Sequence, residues 1–520
     1  MNTTEDDRLD PAVWRIASVV LLGPLLTSLD ATIVNVSLDT LRRELHSPLT
    51  TIQWVTTAYL LSLALVLPLS GWLVDRVGAK RVYLACFVMF TLSSMLCGAA
   101  TSASMLIAFR VLQGVAGGLL APMAQMMAAR IAGKQVAKMM AFIATPVMIG
   151  PILGPSLAGF ISQHASWRWI FFINLPVGII ATIAAAAVLP TDRDTLVPRR
   201  FDLLGFVLLS PALVMMMHGL EDLGTPETRS ARSAIEIALG AVLLLAFLRH
   251  SLRHGKAALV DVQLFRKVSF RAAAVTQFLS NAIVFGGQLI IPLLLLTGAG
   301  YSPGKTGVVL GFAGVGMLIA YPVVGRATGS FGPRRTSATG VVIALVFTLP
   351  FAFVSITELS TVVVCVLLFA RGAGLGSINI PSIAAAYTGI PRADILVATT
   401  AINIVQRLGG PVATTVLALV HHAALRATAG DTPTAFLWTM RVLVVLHALP
   451  VVSALRLPST VSGHAPSPTP RSRSDPWPSI CRDRPTLRGR CRDSRLTSES
   501  RTAEFESRAC NDPCPHEFMP

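Results

Sequence analysis

The 520 residues are 53% hydrophobic and 13% charged, with a mean hydropathy of +0.64. Soluble domains carry about 25% charged residues, so roughly half that share over this length excludes a water-soluble globular protein and points to a polytopic membrane protein. A formal net charge of +16 would suggest nucleic acid if the basic residues shared one face of a domain; they sit instead in short gaps between apolar runs, which excludes that partner.

Residues 1–12 open with Glu5, Asp6, Asp7 and Asp10. They lack the basic start and small-residue cleavage site of a signal peptide and are read as a cytoplasmic N-terminus. A spanning helix needs roughly 20 mainly apolar residues. Spans are predicted on that measure at 13–35, 52–74, 82–100, 103–127, 139–162, 168–189, 203–220, 232–249, 271–296, 306–325, 338–357, 361–386, 398–420 and 434–455. That makes about fourteen spans, of which 203–220 and 232–249 are short.

The first span carries Asp30, with Asn35 one turn further on. An ionised carboxylate in hydrocarbon costs a few kcal/mol, so Asp30 must face a cavity, meet a cation or bind a proton. That makes it a proton-switch candidate; a permanent structural pair is the plainer role. Between the second and third spans, Gly71, Asp75, Arg76, Gly78 and Arg81 sit in a tight basic loop. The glycines permit close approach and Asp75 can pair with a helix terminus or an arginine, so this loop is read as a conformational latch, beside its simpler role as a topology signal.

The fourth span contains Arg110 and, three residues on and near the same face, Gln113. Arginine stays charged; Arg110 can modulate a nearby acid without itself titrating, or it can tether helices through carbonyls. The fifth span is punctuated by Pro146, Gly150, Pro151, Gly154, Pro155 and Gly159, a composition that bends a helix and lets a neighbour pack closely. It is read as a seam with a mechanical consequence. In the ninth span Gln277, Asn281 and Gln288 fall on one face and are candidate cavity-lining residues, as are Arg371 and Asn379 in the twelfth; satisfied interhelical hydrogen bonds are the alternative. Asn403 in the thirteenth is a weaker case of the same kind. The aromatics Phe87, Phe171 and Phe172 are read as packing or lipid-facing residues.

A weak internal repeat relates Gly71 to Arg81 with Gly325 to Arg335, and Arg110 to Pro122 with Arg371 to Pro381. Two six-helix halves with an extra pair between them fit this pattern, and parallel repeats of that kind are a transporter architecture. The predicted organisation is a bundle over 13–189, an extra helix pair over 203–249, a second bundle over 271–455 and a disordered cytoplasmic tail over 456–520, rich in Arg, Ser and Pro without apolar period. Basic clusters such as Arg76, Lys80 and Arg81, or Arg130, Lys134 and Lys138, fall in one set of loops. The other set carries scattered residues such as Arg168, Arg229 and Lys305. The positive-inside rule then puts both termini in the cytoplasm.

Cys86, Cys97 and Cys365 lie within apolar spans and Cys481, Cys491, Cys510 and Cys514 in the tail. None has a metal-ligand spacing, so no disulfide framework, metal or cofactor is expected. No phosphate-binding loop of the P-loop form occurs, so the energy source is an ion gradient or the substrate's own. Nothing resembles an enzyme.

Taken together these segments resemble the major facilitator superfamily, and within it the fourteen-span drug:proton antiporter branch. Leu29 to Leu38 is similar to that branch's first-helix signature, and Gly71 to Arg81 to the superfamily loop, with Ala79 where a basic residue is common. Arg110 to Gly114 is similar to the fourth-helix signature. Gly150 to Gly159 is similar to the antiporter signature, with Ala158 for a usual glycine, and Trp167 to Gly178 matches a segment typical of the branch. Asp39 replaces a usual proline, and Gly329 stands where the second loop copy could carry an acid.

The resemblance implies an all-α membrane fold of two six-helix bundles plus two extra central helices. It further implies proton-coupled export of hydrophobic, often cationic compounds across the inner membrane by alternating access. It ties Asp30 and Arg110 to proton coupling and Asp75 to cycling. The expected partners are a small-molecule substrate, a proton and the bilayer, with a periplasmic adaptor as an optional accessory. A dedicated exporter of one metabolite or antibiotic, a gradient-free facilitator and a non-transporting sensor or scaffold stay open.

Overall fold

The computed structural model describes residues 11–132, 135–147, 150, 154, 157–158, 160–161, 164–191, 200–225, 230–391 and 394–460. Pro151, Pro155, Gly159, Lys134, Arg229 and the tail beyond residue 460 lie outside the described residues.

Among the described residues every regular element is helical. In hydrocarbon each backbone N–H and C=O must be satisfied within its own segment, which leaves the helix as the natural form of an apolar run. The helices that build the site are α1 (Leu22–Val36), α2 (Leu49–Val66), α3 (Ala79–Gly98), α4 (Ala103–Ala132), α5 (Val136–Val147) and α6 (Asn174–Val188). They continue with α7 (Leu203–Gly224), α8 (Ala231–His254), α9 (Val268–Leu293), α10 (Pro303–Thr348), α11 (Thr361–Ala386), α12 (Ile395–Ala427) and α13 (Thr432–Leu455). Large apolar side chains such as Ile183, Leu245, Val308 and Val362 point outward, as expected of a surface that meets lipid rather than water.

Among the described residues twelve helices are long and apolar enough to cross a bilayer, against the predicted fourteen. Two predicted spans fall within one long element, and another is described only in part. The predicted spans 306–325 and 338–357 both lie in Pro303–Phe353, which is two helices meeting at a kink at Gly332, with φ 81° and ψ 162°. The predicted span 139–162 is described continuously only over Val136–Val147. The two short predicted spans both qualify, as Leu203–Gly224 and Ala231–Ala257.

Gly332 has a counterpart. Gly78, at the break before α3, has φ 96° and ψ 147°. This corner of backbone space is open almost only to glycine, so the two loop copies turn by the same device. The likeness extends two residues further. Lys80 Nζ donates to the carbonyls of Ala186 (2.8 Å) and Leu189 (2.7 Å) at the end of α6. Arg334, in the matching position, donates from Nε to Leu457 O (2.8 Å) and from its backbone N to Pro458 O (3.3 Å), just past α13. In both copies a cation caps the C-terminal carbonyls of a later helix, where it also suits the helix dipole.

Close helix packing comes from small residues. A Cβ at Gly114 would stand 2.5 Å from Tyr59 O and one at Gly118 2.7 Å from Leu63 O, so α4 lies directly on the backbone of α2. The extra pair α7 and α8 is tied at both ends. Asp202 caps α7 by accepting from Gly205 N (2.8 Å) and also meets His250 Nε2 (2.9 Å); near the opposite end His218 Nδ1 meets Glu236 Oε2 at 2.7 Å. The pair is also stitched to both halves. Trp54 of α2 stacks on His218 with centroids 5.5 Å apart, and Thr415 of α12 donates to Leu220 O at 2.6 Å.

At the end of the bundle that carries Gly78 and Gly332, helices distant in sequence touch. Ser70 and Thr400 hydroxyls are 2.8 Å apart, Asn403 Nδ2 donates to Gln125 Oε1 at 2.8 Å, and a Cβ at Gly325 would lie 2.8 Å from Ala141 Cβ. That end is closed.

Candidate functional site

Asp30 and Arg110 meet. Arg110 Nη1 donates to Asp30 Oδ2 at 2.6 Å, and both side chains are fully buried. The other carboxylate oxygen, Oδ1, accepts from Gln113 Nε2 (3.0 Å) and from Asn174 Nδ2 (2.9 Å). Arg110 is further held by Gln113 Oε1 (2.8 Å) and Val55 O (3.1 Å). Asn174 also donates to Ser94 Oγ (3.1 Å), which donates to Phe171 O (2.9 Å). Cys97 Sγ lies 3.6 Å from Gln113 Oε1. Side chains from four helices, α1, α3, α4 and α6, and a carbonyl of α2 thus form one polar knot inside an apolar bundle.

Two buried atoms of this region have no hydrogen-bond partner among the described residues: Arg110 Nη2 and the Tyr59 hydroxyl. The Arg110 guanidinium lies over the Tyr59 ring, 4.0 Å from its centroid, and 5.9 Å from that of Phe171. An ion pair in a low-dielectric interior is sustained only by good geometry and extra hydrogen bonds, and both are present here. Protonating Asp30 would leave Arg110 without its counter-charge.

The fifth-span glycines pack beside this knot. A Cβ at Gly150 would run into Ser28, and one at Gly154 would stand 2.8 Å from Thr32 Cβ. Ser28 and Thr32 flank Asp30 on α1, and Ser28 Oγ donates to Val147 O at 2.8 Å. In the loop, Gly71 is buried 3.6 Å (as a Cβ) from Thr400 Oγ1. Arg76 is exposed with its guanidinium 5.9 Å from the Trp72 ring, Asp75 is half-buried and Arg81 is exposed.

A cavity of about 440 Å³ opens between the halves, within the range of about 300–1,000 Å³ typical of small-molecule sites. Its walls come from α2 (Leu60, Leu61), α7 (Glu221), α9 (Asn281, Phe285) and α12 (Arg407). Along α12 the closed contacts at Thr400 and Asn403 come first and the cavity residues from Arg407 onward follow. The cavity therefore lies beyond the closed end.

Asn281 is on the cavity wall, its Nδ2 fixed by Gln406 O at 2.6 Å. The other residues predicted to line a cavity are placed elsewhere. Gln113 belongs to the Asp30 knot. Gln277 Nε2 donates to Asn379 O (2.8 Å) and Ser382 Oγ (2.7 Å), an interhelical bridge. Arg371 is buried and donates to Ile283 O at 3.2 Å. Asn35 and Gln288 are exposed. Sequence reasoning passed over Asn174, Tyr59, Glu221 and Arg407. Arg407 carried a usable signal, a lone arginine within the apolar run 398–420; the others become visible only when helices pack.

His218, Asp222 and Glu236 each place one ligand atom within 4.8 Å of the others. Arg232 Nε holds Glu236 Oε1 at 2.8 Å, so the group closes on itself as the tie between α7 and α8.

A bundle of long apolar helices, with a buried ion-pair knot beside a cavity between its halves, defines a multi-pass membrane transporter rather than an enzyme. The chain belongs to the Major Facilitator Superfamily, whose family model matches residues 20–414. It is 32% identical over 431 residues to a "Multidrug resistance protein B homolog" of Mycobacterium tuberculosis, covering 81% of this chain and 80% of that one. It is 32% identical over 455 residues to the "Putative multidrug resistance protein MdtD" of Pectobacterium atrosepticum, covering 85% and 95%. Among solved structures it superposes on the human organic anion transporter MFSD10 with a TM-score of 0.61 at 15% identity, over 86% of this chain and all of that one. On the proton:xylose symporter XylE the TM-score is 0.61 at 16% identity, over 87% and 97%. At such identities these two define the fold alone.

Proposed function

We propose that this chain is a proton-coupled antiporter that exports hydrophobic, often cationic drugs or toxic compounds across the inner membrane by alternating access. The relatives named for multidrug resistance support the drug-export part. The observation that carries the coupling is the fully buried Asp30–Arg110 pair, with Gln113 and Asn174 on the second carboxylate oxygen. In this conformation no solvent reaches Asp30, so a proton can enter or leave only when the bundle moves. Protonation removes the charge that anchors Arg110, and α1 is then free to shift against the Gly150 and Gly154 faces packed on Ser28 and Thr32. A proton taken from outside and released inside would drive drug the other way.

With both termini in the cytoplasm, as the basic loops favour, the closed end is the cytoplasmic one and the cavity faces outward. The loop Gly71 to Arg81 acts as the latch of that end. Asp30→Asn in everted vesicles tests the assignment. Export coupled to proton movement should be lost while drug binding is kept; substrate-induced proton release at the wild-type rate would falsify the role given to Asp30.

A further inference from the structure

The cavity is mostly apolar, yet two of its side chains are charged. Arg407 is half-buried on α12, and among the described residues neither a hydrogen bond nor an ion pair holds its guanidinium. The two buried arginines each have a partner, Arg110 in Asp30 and Arg371 in the Ile283 carbonyl, although Arg371 Nε and Arg110 Nη2 have none among the described residues. Glu221 stands near the C-terminal end of α7, exposed at the cavity rim, and its carboxylate likewise has no hydrogen bond or ion pair among the described residues. The two charges share one cavity without pairing with each other. Beside Arg407, Asn281 is held rigid by Gln406 O at 2.6 Å. Leu60, Leu61, Phe285 and Leu289 supply apolar wall.

A partly desolvated guanidinium that faces open volume is costly unless something anionic meets it. A lone cation in the same cavity gains from Glu221 but meets the like charge of Arg407, and a lone anion gains from Arg407 but meets the like charge of Glu221. We propose that the cavity is built for amphoteric molecules, with the acidic group of the ligand on Arg407, its basic group toward Glu221, and an apolar body between them. Arginine suits the first role because its planar donors match a carboxylate or sulfonate in two-point fashion and it does not lose its charge. A rim carboxylate suits the second because it draws a basic group in while still solvated. This deepens the export reading and rests on it, and it narrows the substrate class beyond hydrophobic cations. It also gives the extra helix pair a task, since α7 brings the acid that neither half supplies to the cavity.

Three fluorescent probes test it on the detergent-purified full chain: a naphthalene bearing a carboxylate at one end and an aminomethyl group at the other, naphthoate alone, and naphthylmethylamine alone. The amphoteric probe should bind about tenfold or more tighter than either single-charge probe, the scale of one hydrogen bond to a charged group. Arg407→Gln should erase its advantage over the amine, and Glu221→Gln its advantage over the acid, with Arg407→Lys keeping part of it. If the amine alone binds as tightly as the amphoteric probe, or Arg407→Gln leaves naphthoate binding unchanged, the proposal is overturned. The probe ranking on the unaltered protein needs no variant to fold. Proton-driven export is measured separately in vesicles. Should it fail while the ranking holds, the export reading falls and the binding site stands.

Discussion

The Arg110 guanidinium lies 4.0 Å from the centroid of the Tyr59 ring, whose hydroxyl has no hydrogen-bond partner among the described residues. Tyr59 is followed on α2 by Leu60 and Leu61, which line the cavity. One turn of helix therefore touches the ion-pair knot with one residue and the cavity with the next two. In the proposed cycle, movement of Arg110 on protonation of Asp30 would reach the cavity by this route. A desolvated cation–π contact is worth about 2 kcal/mol. Since the ring makes the contact and the hydroxyl has no partner, Tyr59→Phe should leave transport within about twofold, whereas Tyr59→Leu should keep probe binding and lower the protons moved per drug. Parallel proton and drug fluxes in proteoliposomes check this, and equal losses in both variants would reject the ring as the link.

Breaking the knot from one side should cost more than removing it. Arg110→Ala leaves a buried carboxylate without its cation, a change that typically costs about 3–5 kcal/mol. Asp30→Asn together with Arg110→Gln keeps hydrogen-bonding groups while removing both charges, and should recover much of that stability without recovering proton coupling. Thermal unfolding in detergent across the double-mutant cycle gives the answer. A double variant no more stable than Arg110→Ala would mean that geometry, and not unpaired charge, governs the knot.

Parts of this site are legible in the sequence because they violate the chemistry of their surroundings. Asp30 and Arg110 are charges inside apolar runs and must have partners, so each points at the other before any fold is known. Gly78 and Gly332 are legible through their matching distance from Gly71 and Gly325. Asn174 is different. Asparagine near a span end is unremarkable, and only the packing of α6 against α1 and α3 carries it to Asp30 Oδ1. The same holds for Glu221, whose position near the end of α7 is an ordinary place for an acid until α7 is seen to wall the cavity. The spans on either side of Gly332 are readable as two, and the structure places the kink between them.

The paired glycines make a comparison of their own. At φ 96° and 81°, both sit where an L side chain is strained, by about 1–3 kcal/mol. Gly332→Ala meets a second obstacle, because its Cβ would run into the Ser459 carbonyl. Alanine at 78 should therefore lower the unfolding midpoint by a few degrees and alanine at 332 by more. Equal shifts would show that the contact beyond α13 relaxes freely.

The closed end offers a direct test of alternating access. The Ser70 and Thr400 hydroxyls stand 2.8 Å apart, between the helix that precedes Gly78 and the start of α12. Side chains this near bring their Cβ atoms close to the spacing a disulfide requires. In a chain with its native cysteines replaced by serine, Ser70→Cys with Thr400→Cys should form a bond under mild oxidation. That bond holds the closed end shut, so transport should stop and return on reduction, while the amphoteric probe, whose cavity lies beyond these contacts, still binds. In the proposed cycle gate opening is a required step. Oxidised protein that cross-links fully yet transports at the unmodified rate would show that this end never opens, and the cycle would have to run through another path.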